Sequence, residues 1–150
     1  DLEEDLNSRR NNRVLSNPTL ARGTSDETKV KNSAFVVDRS GVISTISSAE
    51  TAFTATTDDL VDGEGAIYLV YLDKDNAITI LKGTPTAGGV GAKCPEVPGL
   101  YQTLHPSGLK IGEVKIVAVG KKFDATTDSL ASTWLTVTYT NKIGTFDKIS

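Results

Sequence analysis

The run Ala66-Ile-Tyr-Leu-Val-Tyr-Leu72 constrains this chain more than any other stretch. It is rich in residues that fit a pleated, half-buried surface, and it is apolar at odd and even positions alike. Side chains of a strand alternate between its faces, so Ala66, Tyr68, Val70 and Leu72 line one face and Ile67, Leu69 and Tyr71 the other. Both faces call for burial, and 150 residues form about one domain with one core. Two readings stay open. The strand is central and its second face is covered by a loop or by the N-terminal segment, or Ile67, Leu69 and Tyr71 form a subunit interface in a homo-oligomer.

The surrounding sequence sets the fold class. From Ala34 onward, short β-type runs alternate with turn signals, the pattern of an all-β chain. Ala34–Asp38 and Gly41–Ile46 flank Asp38-Arg-Ser-Gly41, whose small polar residues and glycine suit a tight hairpin. Ala66–Asp73 and Ala77–Leu81 flank Asp73-Lys-Asp-Asn76, a second hairpin. Thr51–Thr56 reads as a further strand before the acidic loop Thr57–Gly65. Gly83–Pro98, dense in glycine and proline, reads as a loop without regular structure. Ile111–Ala118 places Val114, Ile116 and Ala118 on one face and Glu113 and Lys115 on the other. Thr133–Thr140 alternates Leu135, Val137 and Tyr139 with Thr136, Thr138 and Thr140. The expected fold is a compact antiparallel β-sandwich or barrel over residues 34–150.

Residues 1–33 differ. Glu3, Glu4 and Asp5 precede Arg9, Arg10 and Arg13, a charge order that suits a short helix over Asp1–Val14. From Ser16 to Lys29 no periodicity remains, so the segment lacks the apolar content to fold on a core of its own. The reading is an extended N-terminal arm ordered by a partner, with Arg9, Arg10 and Arg13 as its charged contacts to an acidic surface.

Several chemistries find no support in the residues. A net charge of −3 supplies no general positive field for nucleic acid, and no run approaches the length of an apolar membrane-spanning helix. With Cys94 as the single cysteine and His105 as the single histidine, neither an intrachain disulfide, a cysteine-based zinc site nor a Ser-His-Asp relay is expected. Gly83–Lys93 lacks the Gly-Lys-Ser/Thr that closes a phosphate loop, and Pro95 opposes the helix that should follow. Asp73, Asp75 and Asn76 lack the turn glycine and the distal glutamate of a calcium loop. Asp58, Asp59, Asp62 and Glu64 read as a solvated acidic loop. The expectation is a non-enzymatic chain with no cofactor and no metal.

Taken in order, Tyr68–Asp73, Asp75–Thr84, the Pro95-Glu-Val-Pro98 pair, Ile111–Ile116, Phe123–Leu130 and Val137–Tyr139 resemble a family of small virion structural proteins of tailed bacteriophages. The similarity spans about residues 34 to 140. It implies a capsid-decoration or head-fibre β domain located on the virion, a homotrimer attached through its N-terminal arm to the phage major capsid protein or another virion protein. The long Gly83–Cys94 loop and the Tyr101–Pro106 segment depart from that pattern. A different class is also open: a carbohydrate-binding or adhesin-like β-sandwich that stacks sugars on Trp134, Tyr101 and Tyr139.

Overall fold

The computed structural model describes residues 12–98 and 108–144. In chain order the strands are β1 (Arg13–Val14), β2 (Ala21–Arg22), β3 (Val30–Asn32), β4 (Phe35–Arg39), β5 (Val42–Ile46), β6 (Ala49–Thr51), β7 (Glu64–Leu72), β8 (Ile78–Lys82), β9 (Thr86–Ala87), β10 (Leu109–Ala118) and β11 (Leu135–Asn141). Every pairing is antiparallel. β1-β4-β5 and β2-β3-β6 are small sheets; the large one runs β11-β10-β7-β8, with β9 added to the start of β7. The domain is all-β and sandwich-like, not a closed barrel, and no helix occurs among the described residues.

The two predicted hairpins form, and their turns show why. Between β4 and β5 the chain reverses over Ser40 and Gly41, with φ of 55° and 89°. Positive φ at both central residues defines the mirror-image turn whose twist matches a hairpin. Arg39 pairs with Val42, and the Gly41 N–H donates to Asp38 Oδ1 at 2.8 Å. Between β7 and β8 the reversal runs from Asp73 to Ala77, with Asn76 at φ 62°. Asp73 Oδ1 accepts from the N–H groups of Asp75 and Ala77 at 2.8 and 2.9 Å, so this carboxylate staples the turn.

The centre of the molecule is the β7–β10 pair. Tyr68, Val70 and Leu72 of β7 and Val114, Ile116 and Ala118 of β10 are fully or almost fully buried on the shared face. Leu109 also points to the core, although it stands at an odd position while Val114 stands at an even one. A register shift between Lys110 and Gly112 resolves the parity: Lys110 pairs with Tyr71 and Gly112 with Val70, leaving Ile111 as an extra residue. Phe53 meets Tyr68 and Phe123 edge to face, with ring centroids 5.2 and 6.0 Å apart. The Tyr68 hydroxyl donates to the Asp58 carbonyl at 2.6 Å, so a buried phenol is satisfied within the core.

Four expectations need correction. The segment before Ala34 is not a separate arm over its whole length: from Asn12 it belongs to the β domain. β1 pairs with β4, β3 bridges β2 and β6, and Val14, Leu20 and Val30 are core residues. Its apolar residues are too sparse for a core of their own but sufficient to complete another. Arg13 and Val14 are strand, not helix, Asn12 belongs to no element, and residues 1–11 of that predicted helix lie outside the described residues. The strand expected over Thr51–Thr56 falls earlier, at Ala49–Thr51, because Asp58 holds Thr54 in a turn through an N–H to Oδ2 bond of 2.6 Å. The Gly83–Pro98 loop contributes β9, which pairs with Glu64 and Gly65.

A side chain at Gly112 would meet the Thr140 carbonyl oxygen across the β10–β11 pair and Leu20 above it. Gly112→Ala is therefore expected to lower stability by about 1–3 kcal/mol, read from the urea midpoint. Tyr68→Phe should cost about 1–3 kcal/mol by leaving the buried Asp58 carbonyl without its donor. An unchanged midpoint in both variants would contradict this account of the core.

Candidate functional site

The second face of β7 is the first place to look for a site. Leu69 is fully buried, packed with Val97 and against Tyr71 and Cys94. What covers it is the chain's own 83–98 loop. Gly83 lets this loop cross at backbone distance, since a Cβ there would lie 2.6 Å from the Lys93 carbonyl oxygen and 2.7 Å from that of Ile67. Gly65 and Gly89 make a second such contact, where a Cβ on Gly65 would fall 2.7 Å from the Gly89 Cα. Of the expected interface residues, Leu69 thus presents no surface, and Ile67 and Tyr71 are half-buried. The loop covers Leu69, while Ile67 and Tyr71 keep part of their surface.

Beside the loop lies a cavity of about 440 Å³ lined by Lys82, Gly83, Thr84, Thr86, Gly91, Lys93, Cys94 and Pro95. The Thr86 hydroxyl is buried without a hydrogen-bond partner, and the Lys82 ammonium donates to the Asp59 carbonyl at 2.6 Å. Near Cys94, Lys110 and Glu113 form an ion pair of 2.9 Å with about a quarter of each side chain exposed. Burial pushes the Cys94 thiol up to about 11, with Lys110 pulling the other way. Such a thiol is protonated at neutral pH and is a poor nucleophile. Burial, reinforced by the charge of Lys110, lowers the Lys142 amine to about 8. No group of three or more His, Cys, Asp or Glu side chains that could hold a metal occurs among the described residues. His105 lies outside them.

The acidic loop differs from the solvated loop expected. Asp58 is 2% exposed, and its neighbours are used as staples. Asp59 Oδ1 accepts from Ala125 N–H at 2.8 Å, Asp62 Oδ1 from Gly120 N–H at 2.7 Å and Glu64 Oε1 from Val61 N–H at 3.2 Å. Burial raises the Asp58 carboxyl above the ordinary aspartate range, against the Thr54 N–H and Lys82.

The expected contact arginines are only partly in view. Arg13 is exposed on β1, with its Cα opposite that of Asp38, while Arg9 and Arg10 lie outside the described residues. Just after Arg13 the chain is held from both sides. Leu15 N–H donates to the Val36 carbonyl at 2.8 Å, Ser16 Oγ accepts from Val36 N–H at 2.8 Å, and Gly144 N–H donates to the Val14 carbonyl at 2.7 Å. Asn12 is buried too, and its Nδ2 donates to the Gly108 carbonyl at 3.5 Å.

The aromatic residues considered for sugar stacking do not make an open platform. Trp134 and Tyr139 pack against the core, the Lys121 ammonium sits 4.3 Å from the Trp134 ring centroid, and the Tyr139 hydroxyl is buried. Tyr101 lies outside the described residues. One surface feature escaped the sequence reading: Val42 and Ile43 on β5 are 64% and 67% exposed. Its signal was the neutral, non-alternating run Val42-Ile-Ser-Thr-Ile46.

No family model, no curated protein and no solved structure matches this chain.

Two outcomes follow from the buried groups. At pH 8, Cys94 should react with iodoacetamide at least about tenfold more slowly in the folded chain than in urea, because the raised pKa and burial both oppose thiolate attack; equal rates would contradict this. Asp58 keeps its proton to higher pH in the folded chain than in the unfolded one. Stability from that group is therefore present below the unfolded pKa and is lost as pH rises through the folded pKa. The unfolding free energy of Asp58→Asn relative to the native chain should accordingly climb as pH is raised from the ordinary aspartate range toward neutrality, and a flat difference would count against it.

Proposed function

We propose that this chain is a non-enzymatic structural protein of a tailed-bacteriophage particle, decorating or projecting from the virion and attached to the major capsid protein or another virion protein through its N-terminal segment. The observation that carries the reading is the rooting of that segment. Val14 is buried, β1 is paired to β4, and hydrogen bonds from Leu15, Val36 and Gly144 hold the chain where residues 1–11 join the domain. A contact made by those residues would transmit tension into an antiparallel ladder and the core, which suits an attachment element. Arg9, Arg10 and Arg13 would supply charge toward an acidic shell, and many copies on one particle would let modest individual contacts suffice.

The resemblance in the order of the β motifs over about residues 34 to 140 supports the same class. A trimer through Ile67, Leu69 and Tyr71 would use the surface that Ile67 and Tyr71 keep, because the 83–98 loop buries Leu69.

The test is co-sedimentation with shells of the major capsid protein from the phage that encodes the chain. The full chain should pellet with the shells. A variant starting at Asn12, and the double variant Arg9→Ala, Arg10→Ala, should remain largely in the supernatant while keeping the same far-UV circular dichroism. Binding of the full chain should weaken as salt is raised, because the expected contacts are charged. Equal pelleting of the Asn12 variant would overturn the attachment role. Absence of pelleting by the full chain, together with a sugar-induced change in Trp134 fluorescence, would favour a carbohydrate-binding module.

A further inference from the structure

We propose that two copies of this chain join edge to edge through β5, with Ile43 of each copy hydrogen-bonded to Thr45 of the other about a two-fold axis at Ser44. The inference rests on backbone geometry and stands apart from the virion reading. In the β4–β5 hairpin the two-residue turn makes Arg39 and Val42 the pair that exchanges both backbone bonds, and such pairs recur at every second position. Ser44 and Ile46 therefore turn their N–H and C=O groups toward β4, whereas Ile43 and Thr45 turn theirs outward. β5 is the outer strand of its sheet, and no backbone hydrogen bond among the described residues uses the outward groups of Ile43 or Thr45.

Sheet edges of this kind are normally blunted by a lysine, a proline, a bulge or a covering segment. β5 carries none of these residues, is uncharged, pairs with β4 without a register break and exposes Val42 and Ile43 by about two thirds. Other edge strands are guarded differently. β1 carries Arg13, β2 Arg22, β6 Glu50 and β8 Lys82.

A second copy is the occupant that this edge fits. Antiparallel pairing centred on Ser44 sets Ile43 opposite Thr45 and Val42 opposite Ile46, so the outward N–H and C=O groups of both copies fall into register. Neutral residues face neutral residues, with no like charges opposed. The contact is isologous and closes on itself, giving a dimer rather than a fibre, and the sheet becomes β1-β4-β5 continued by β5-β4-β1 of the second copy.

The experiment is sedimentation equilibrium on the full chain at about 100 μM, a concentration that populates even a weak dimer. The mass should be that of two copies. Ile43→Lys, which places a charge at the contact from an exposed position, and Thr45→Pro, which removes one outward N–H, should each give one copy with unchanged circular dichroism. In a Cys94→Ser background, Ser44→Cys should form a disulfide-linked dimer under mild oxidation, because residues facing each other across the axis in such a pair have Cα atoms about 4.5 Å apart. Val42→Cys in the same background should cross-link far less. A monomeric native chain would leave the edge to a strand of another protein and would overturn the proposal. A mass of three copies, or a dimer that survives Ile43→Lys, would overturn it as well.

Discussion

Burial of β7 on both faces is the constraint on which the rest of the structure depends. On one face Tyr68, Val70 and Leu72 meet the inward residues of β10 and the aromatic group of Phe53 and Phe123. The bulge at Ile111 brings Leu109 and Val114 to the same side despite their parity. On the other face the 83–98 loop packs over Leu69 through Val97 and Cys94. Glycines at 65, 83 and 89 let the loop approach at backbone distance where a Cβ would crowd neighbouring atoms. The N-terminal strands then add Val14, Leu20 and Val30 to the core rather than forming a layer of their own.

This arrangement explains which parts were legible in the sequence. The hairpins at 38–41 and 73–77 were, because their turn residues carry local information: Gly41 and Asn76 adopt positive φ, and Asp38 and Asp73 bond the turn backbone. The alternation in β11 was legible because Thr136, Thr138 and Thr140 face solvent. β1, β2 and β3 were not, since two or three residues cannot display a period and their strand character comes from pairing with β4 and β6. Asp58 was misread for a related reason. Its burial depends on Thr54 and on the position of Tyr68, neither of which a run of acidic residues reveals.

Ile67, Leu69 and Tyr71 stand on one face as expected, and the loop that follows the β7–β8 hairpin buries Leu69 there while Ile67 and Tyr71 stay partly exposed. The exposed pair Val42 and Ile43 belongs to a strand that was itself predicted, yet its edge position is a property of sheet order. Among the described residues, the chain buries Leu69 of its most apolar strand under its own loop and leaves an uncharged outer strand at β5.

Residue-resolved hydrogen exchange over a range of protein concentrations tests this division most directly. Amides of β7 and β10 should be the slowest, at rates independent of concentration, while those of Ile43 and Thr45 should exchange fast in dilute solution and slow as concentration rises. Protection of β7 that grows with concentration would contradict the account, because it would mean that another copy, not the 83–98 loop, completes the burial of the central strand.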